Sequence, residues 1–491
     1  MLRSFGHWQN RRATRCVVTL CALACLSGGV VRGAQPQAAF TDRTGELGLE
    51  LANAAACWAD LNNDGWVDLC AGGVIWRNNE GANFSRMADG VGAVVAADFD
   101  NDGFVDLFSW SSLQAYHNES GQSFTPIEMP KLPKCVSRGA CWGDFNGDGF
   151  VDLYVGGYED WNAGITYPDM ILMNQRGTGF KLAWSESRYR ARGVTACDFD
   201  QDGDLDVYVS NYRLQPNLLW IGDGSGAFAE QAAKYNAVAT SSGFGGGHAI
   251  GAAWGDFDND GRFDLFAGNF AHRDNRGDQP KSRFLRNRGA QEGYTFEDRG
   301  TCGVFYQESY ASPAAGDYDN DGDLDLLFTT VYGTASFGKK NYPVLLRNDG
   351  GFAFADGTSD AGVGGLAPTY QVAWADFDND GDLDVACGGK LLVNGGNPNH
   401  WLKVVLYGDG SAVNWSAVGA QARIELDGGI VTRQVEGGTG EGNQNELALH
   451  FGLGAYTGRV DLEITWPNGS VQTVEDIGMD YVAAVRFGGA K

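Results

Sequence analysis

Nine residues, Asp376 to Asp384, read DFDNDGDLD, and six earlier stretches obey the same rule, D-x-[DN]-x-D-G-x-x-D. The copies begin at Asp60, Asp98, Asp144, Asp198, Asp256, Asp317 and Asp376. One copy is accident; seven are a repeat architecture. Oxygens at alternate positions, with a glycine where the backbone must turn, suit a hard cation, and Ca²⁺ takes about 6–8 oxygen ligands. The opening is that of an EF-hand loop, but the closing acid stands at position 9, not 12. The flanks, QVAWA and VACGG, are short apolar runs that read as strands and not as helices.

Positions 1, 3, 5 and 9 are the expected ligands. They are Asp60, Asn62, Asp64 and Asp68; Asp98, Asp100, Asp102 and Asp106; Asp144, Asn146, Asp148 and Asp152; Asp198, Asp200, Asp202 and Asp206; Asp256, Asp258, Asp260 and Asp264; Asp317, Asp319, Asp321 and Asp325; and Asp376, Asp378, Asp380 and Asp384. Position 7 is expected to offer only its carbonyl, which tolerates Trp66, Phe104, Phe150 and Arg262. Asn62 and Asn146 keep an oxygen but lose a charge, so those two loops are expected to bind more weakly. The competing reading is a set of metal-free Asx turns. Three to five carboxylates crowded into nine residues would then repel, which favours the cation. A shell completed within one local loop fixes geometry better than it opens a coordination site for catalysis. Up to seven Ca²⁺, mainly structural, are therefore expected.

The loops hold 29 of the 62 acidic residues, so the net charge of −26 is concentrated in them. Filling all seven would bring it to about −12. This balance excludes nucleic acid as a partner, because phosphate binding needs clustered Lys and Arg.

Residues 1–34 read as a secretory signal: Arg3, Arg11, Arg12 and Arg15 precede an apolar run from Cys16 to Leu26 that is too short to span a bilayer. No later segment is apolar enough for a transmembrane span. The chain is expected to be secreted, periplasmic or on the cell surface, where calcium is plentiful. Beyond the signal stand Cys57, Cys70, Cys135, Cys141, Cys197, Cys302 and Cys387, an odd number. Cys57 and Cys141 occupy the place of Ala253 and Ala373 in other copies, which suggests small buried packing positions. Pairing of Cys57 with Cys70, or Cys135 with Cys141, stays open.

Residues 35–397 form the repeat region, with loop starts 38, 46, 54, 58, 61 and 59 residues apart. Each unit offers about four short strands and no helical period, which is the size of a propeller blade. The seventh unit stops at LLVNGG without its last strand, whereas AFTDRTGELG from Ala39 has that strand's form. The expected fold is all-β: a seven-bladed β-propeller closed by its N-terminal strand, which leaves no free sheet edge. Residues 398–491 carry no acidic loop. Their alternating runs, such as WLKVVLYG and QARIELDG, predict a small β-sandwich-like domain.

Seven such loops in blade-sized units resemble the FG-GAP/VCBS repeats of integrin α-chain heads and of many bacterial exported proteins. The string NHWLKV, GAQARIEL, HFGLG, WPNGSVQT resembles an ASPIC/UnbV domain. Together they resemble the cartilage acidic protein family, bacterial type. The resemblance implies Ca²⁺ on one rim of the propeller and no settled activity.

Enzyme signatures are thin. His117, His248, His272, His400 and His450 stand in no metal-binding spacing, and neither a nucleophile elbow nor a P-loop occurs. No catalytic residue is assigned. Inserts at 157–170, 268–283 and 329–343 carry Trp161, Tyr167, Phe270, Tyr332, Phe337 and Tyr342. Inserts on one propeller face build binding surfaces, although packing of long loops is a simpler role for the same residues. Arg276-Gly277-Asp278 in one insert is a short match of little weight. The leading expectation is an adhesion or ligand-binding module for an extracellular protein or glycan. The alternatives are a secreted enzyme on carbohydrate or another extracellular substrate, and a structural cell-envelope protein.

Overall fold

The computed structural model describes residues 40–274, 277–426 and 428–489. The expected signal at 1–34 and Arg276 lie outside them. Among the described residues the molecule is all-β, with two short 3-10 turns. Among the described residues no helix is long and apolar enough to cross a membrane.

The repeat region forms seven antiparallel four-stranded sheets in the β-propeller manner. The third is typical: Ser137–Gly143, Asp152–Gly157, Asp169–Asn174 and Phe180–Glu186, paired in that order. The first strand is mostly small, apolar and buried, as in Ala249–Gly255 with AIGAAWG. Small residues there let neighbouring sheets approach. The acidic loop then turns the chain, and its ninth residue opens the second strand. The last sheet takes its fourth strand from the start of the described chain: Phe40–Asp42 pairs antiparallel with Lys390–Asn394, Phe40 opposite Asn394. Phe40 is buried against Tyr318 and Trp374.

An asparagine at the end of the third strand ties each of six sheets to the one before it. Asn78, Asn118, Asn174, Asn287, Asn348 and Asn394 are buried. Each side-chain amide donates to the carbonyl at position 2 of the preceding sheet's loop: Phe377, Leu61, Phe99, Phe199, Phe257 and Tyr318, at 2.7–3.0 Å. The bond from Asn78 to Phe377 joins the first sheet to the seventh. The fourth sheet has Gly222 at this point, so its tie is missing. Each amide also donates to the carbonyl before its own loop's ninth residue, as Asn174 does to Val151. Its Oδ1 accepts a nearby glycine N–H, Gly177 in that case. Asn174→Ala would strand two carbonyls and one N–H in the interior, each worth about 1–3 kcal/mol. A loss of about 3 kcal/mol is expected in denaturant unfolding at fixed calcium. Asn174→Asp, which keeps the shape but loses both donors, should cost as much.

The C-terminal module has two sheets. His400–Tyr407 lies between Leu449–Gly454 and Tyr481–Arg486, the latter parallel to it. Gln421–Leu426, Gly429–Gln434, Val460–Thr465 and Val471–Ile477 make the second. Leu402, Val404, Phe451, Ile424, Leu462 and Trp466 share one core between them.

The segment that links these two sheets, 436–446, runs through the middle of the repeat region. Its bonds reach the first strand of every repeat sheet. Gln444 exchanges backbone bonds with Ala56 and Trp58 and side-chain bonds with Ala96. Gly437 accepts from Trp142, Glu441 pairs with Arg192, and Gly440 donates to Ala252. Glu441 donates to Ser312, and Glu446 donates to Trp374. Gly437–Gln444 is buried throughout. Gly440, at φ +57°, passes so close to Ser312 that a Cβ would lie 2.3 Å from its Oγ.

Candidate metal loops and the insert face

The loops share one hydrogen-bond scheme. In the first six, the carboxylate at position 1 accepts the N–H groups of positions 5 and 6, as Asp144 does from Asp148 at 3.1 Å and Gly149 at 2.9 Å. At position 9 one oxygen accepts the N–H at the end of the third strand. It does so in all seven loops, from Asp68 at 2.8 Å to Asp384 at 2.8 Å. In Asp68, Asp106, Asp152, Asp264, Asp325 and Asp384 the other oxygen accepts the N–H of position 2. These bonds fold each loop inward, so its carboxylates converge.

Ligand atoms of Asp98, Asp100 and Asp102 come within 4.8 Å of one another, as do those of Asp198, Asp200 and Asp206, of Asp256, Asp258 and Asp260, and of Asp317, Asp319 and Asp325. Position 4 lies outside the ligand set but holds the loops together. Asn63, Asn101, Gln201, Asn320 and Asn379 have φ of 55–60°. Their side-chain amides donate to the position 6 carbonyl of the next loop, Gly103, Gly149, Gly261, Gly381 and Gly65. The x of the motif hid this role, although an amide recurs there in nearly every copy.

Burial makes the loops costly without a counter-charge. It pushes Asp98, Asp198 and Asp256 up to about 7, Asp144 to about 6 and Asp106 to about 9, against the opposing pull of backbone N–H donors. Neighbouring carboxylates add to the rise. Buried oxygens of Asp200, Asp206, Asp258, Asp260, Asp319, Asp376 and Asp378 have no hydrogen-bond partner. Such an arrangement of hard, orphaned oxygens fits a divalent cation.

The loops are not equivalent. In the second, His117 Nδ1 lies 3.1 Å from Asp100 and 3.5 Å from Asp106. In the fifth, Arg286 binds Asp258 and Asp260, and Arg262 also reaches Asp260. In the seventh, the Lys403 ammonium sits 3.4 Å from Asp376 and 3.0 Å from Glu446. Protein cations thus lean on the fifth and seventh sites, and on the sixth through Arg433, 3.6 Å from Asp317. At position 7, Arg262 does more than lend a carbonyl, since its guanidinium reaches Asp260.

The C-terminal module covers this rim. Asn101 donates to the Gly410 carbonyl and accepts from Trp415. Ile430 donates to Asn259, Gln421 to Asp198, and Arg433 lies beside Asp317. Trp401 presses on Gly381 so closely that a Cβ would overlap its ring.

The opposite face holds the inserts, which leave the second strands at Gly157, Asn269 and Thr330. Trp161 is 65% exposed and Tyr332 59%, whereas Tyr167 and Phe270 are buried. The ring chain Tyr158–Tyr212–Phe270–Tyr332 crosses four consecutive sheets in steps of 5.7–6.4 Å. His248 and His272 meet beside it at 5.4 Å, and His272 Nδ1 is 2.9 Å from Glu308. Arg192, fully buried, lies over Tyr158, Tyr212 and Tyr370 and pairs with Glu441. Tyr212, Arg192 and Tyr370 stand outside the inserts, next to strand ends, where alternation says nothing of convergence. All seven cysteines in the described residues are free thiols; Cys57 faces Cys70 across a strand pair but is not bonded to it.

Repeated acidic loops on β-propeller sheets, capped by a separate β module, define the class of the protein. The profile described as FG-GAP-like repeat matches residues 98–155 and 198–267, and that described as ASPIC and UnbV matches residues 410–491. The chain is homologous to cartilage acidic protein 1 and fits that family's combination of FG-GAP-like repeats with an ASPIC/UnbV domain. It is 27% identical over 243 residues to the Mus musculus protein, covering 46% of this chain and 34% of that one. It is 26% identical to the Homo sapiens protein over the same shares. The match thus spans about a third of those relatives' own length. Among solved structures it is similar to YCF48 bound to D1 peptide, at 12% identity and a TM-score of 0.42, over 74% of this chain and 98% of that one. The extracellular domain of the putative hybrid two component system BT4673 from B. thetaiotaomicron gives 7% identity and 0.43, over 92% and 60%. At these scores neither carries weight in the fold argument.

Proposed function

We propose that the chain is an exported, closed seven-bladed β-propeller, stabilised by Ca²⁺ in its acidic loops, that serves as an adhesion or ligand-binding module for an extracellular protein or glycan. Closure is supported by the strand at Phe40–Asp42 and by bonds from the first sheet to the seventh in both rings of amides. Calcium is favoured by the orphaned buried carboxylate oxygens. Export rests on the basic and apolar start of the chain. The observation that carries the reading is the coverage of the loop rim and the filled centre. They leave the insert face, with Trp161 and Tyr332 exposed, as the surface for a ligand. Ser336 Oγ and His272 Nδ1 both meet Glu308 on that face, so the test reads product release as well as binding.

The test is a glycan and extracellular-protein array, read with the intact chain and with Trp161→Ala/Tyr332→Ala. Binding that the double variant loses, without product by mass spectrometry, is expected. Binding that the variant keeps, or product release, would contradict the proposal.

A further inference from the structure

One patch of the insert face is basic. Around Tyr158 and Tyr212 stand Arg138, Arg190, Arg192 and Arg213, and the carboxylates they contact are Glu159 and Glu441. Four guanidinium groups against two carboxylates leave this network at +2, in a chain whose net charge is −26. The rings cannot serve as a cage for a cation, because Arg192 already lies at 4.8–5.5 Å over Tyr158, Tyr212 and Tyr370.

Glu441 is buried and holds Arg192 with one oxygen, while Oε2 has no partner. Ser210 Oγ, Asn211 Oδ1 and Thr330 Oγ1, at the insert ends of two second strands, are buried without partners too. These groups are closed off from solvent and form the polar floor beneath the rings. Trp161, one face of which is covered by Arg213 at 4.0 Å, keeps most of its surface open. Open rings among hydrogen-bonding groups suit the C–H faces of pyranose rings, and arginine forks suit carboxylates.

Resting on the reading of this face as the ligand surface, we propose that it binds an acidic saccharide, a chain of uronate-type sugars, with Trp161 as a stacking platform and Arg138 as a carboxylate ligand. Arg138 is exposed, lies 5.6 Å from Tyr158, and belongs to no ion pair found among the described residues.

The experiment is calorimetric titration of the full chain, at constant calcium, with short oligogalacturonate, with a neutral cello-oligosaccharide of equal length, and with an oligoglutamate peptide. Oligogalacturonate should bind at least about tenfold tighter than the neutral sugar, the scale of one charge-assisted hydrogen bond. Arg138→Ala and Trp161→Ala should each weaken it about tenfold without moving the melting curve, since both side chains are exposed. Equal binding of the neutral sugar, or uronate binding untouched by either variant, would overturn the assignment. Preference for oligoglutamate would overturn the saccharide class while leaving the insert face as ligand surface. Binding of none of the three would overturn the acidic-saccharide assignment, and the array result above then judges the face separately.

Discussion

Chelation should lower the melting temperature by on the order of 10 °C. At tenfold excess of calcium over Kd, one site contributes about 1.4 kcal/mol. Several filled sites bring the total to several kcal/mol, and for a chain of this size each kcal/mol moves Tm by roughly 1 °C, by the per-residue unfolding entropy. The loops are also where the sheets join. Asn63 reaches Gly103, Asn101 reaches Gly149, and Asn379 reaches Gly65. Losing the cation frees carboxylates such as Asp200 and Asp319, whose buried oxygens have no other partner. Their repulsion acts at the seam between sheets and under the C-terminal module. EDTA, followed by thermal circular dichroism and restored with CaCl₂, measures the effect; Mg²⁺, which demands a tighter octahedral shell, should restore less.

The second large effect is expected from the segment that fills the centre. Asn443 Oδ1 accepts the N–H groups of Ala56 and Val372, and its amide donates to Tyr370. Gln444 bonds Ala96 with both ends of its amide. Asn443→Ala/Gln444→Ala would leave backbone groups of three sheets unpaired in the interior, at about 1–3 kcal/mol each. Water entering the emptied centre takes up part of these bonds, so a net loss of about 4–6 kcal/mol is expected in denaturant unfolding. The single transition should also split, with the module melting ahead of the repeats. A loss under about 1 kcal/mol would mean that the segment merely fills space.

How much of this was legible beforehand follows from where the information lies. The acidic loops declare themselves because ligand chemistry forces the same residue types at the same spacing. The missing last strand was readable because its form recurs elsewhere in the chain. The asparagine ties were half visible, as the recurring Asn-x-Gly, but their partners lie 57–299 residues away. The central segment, EGGTGEGNQNE, reads only as glycine-rich turn. Its polar side chains look solvated in sequence and are buried, because their partners are the first strands of distant sheets. For the same reason nothing in the sequence places the C-terminal module over the loops. The inserts stand out in the sequence as long and aromatic, yet the charged part of that face lies outside them: Arg138 in the first strand of the third sheet, Arg192 and Arg213 near strand ends of the fourth.

The measurement that bears most directly on the central claim is the count of calcium ions per chain by native mass spectrometry, after equilibration at extracellular calcium. Five to seven ions are predicted, with the fifth loop filling last because Arg286 and Arg262 already pair with Asp258 and Asp260. A chain that carries none, or one, would contradict the account.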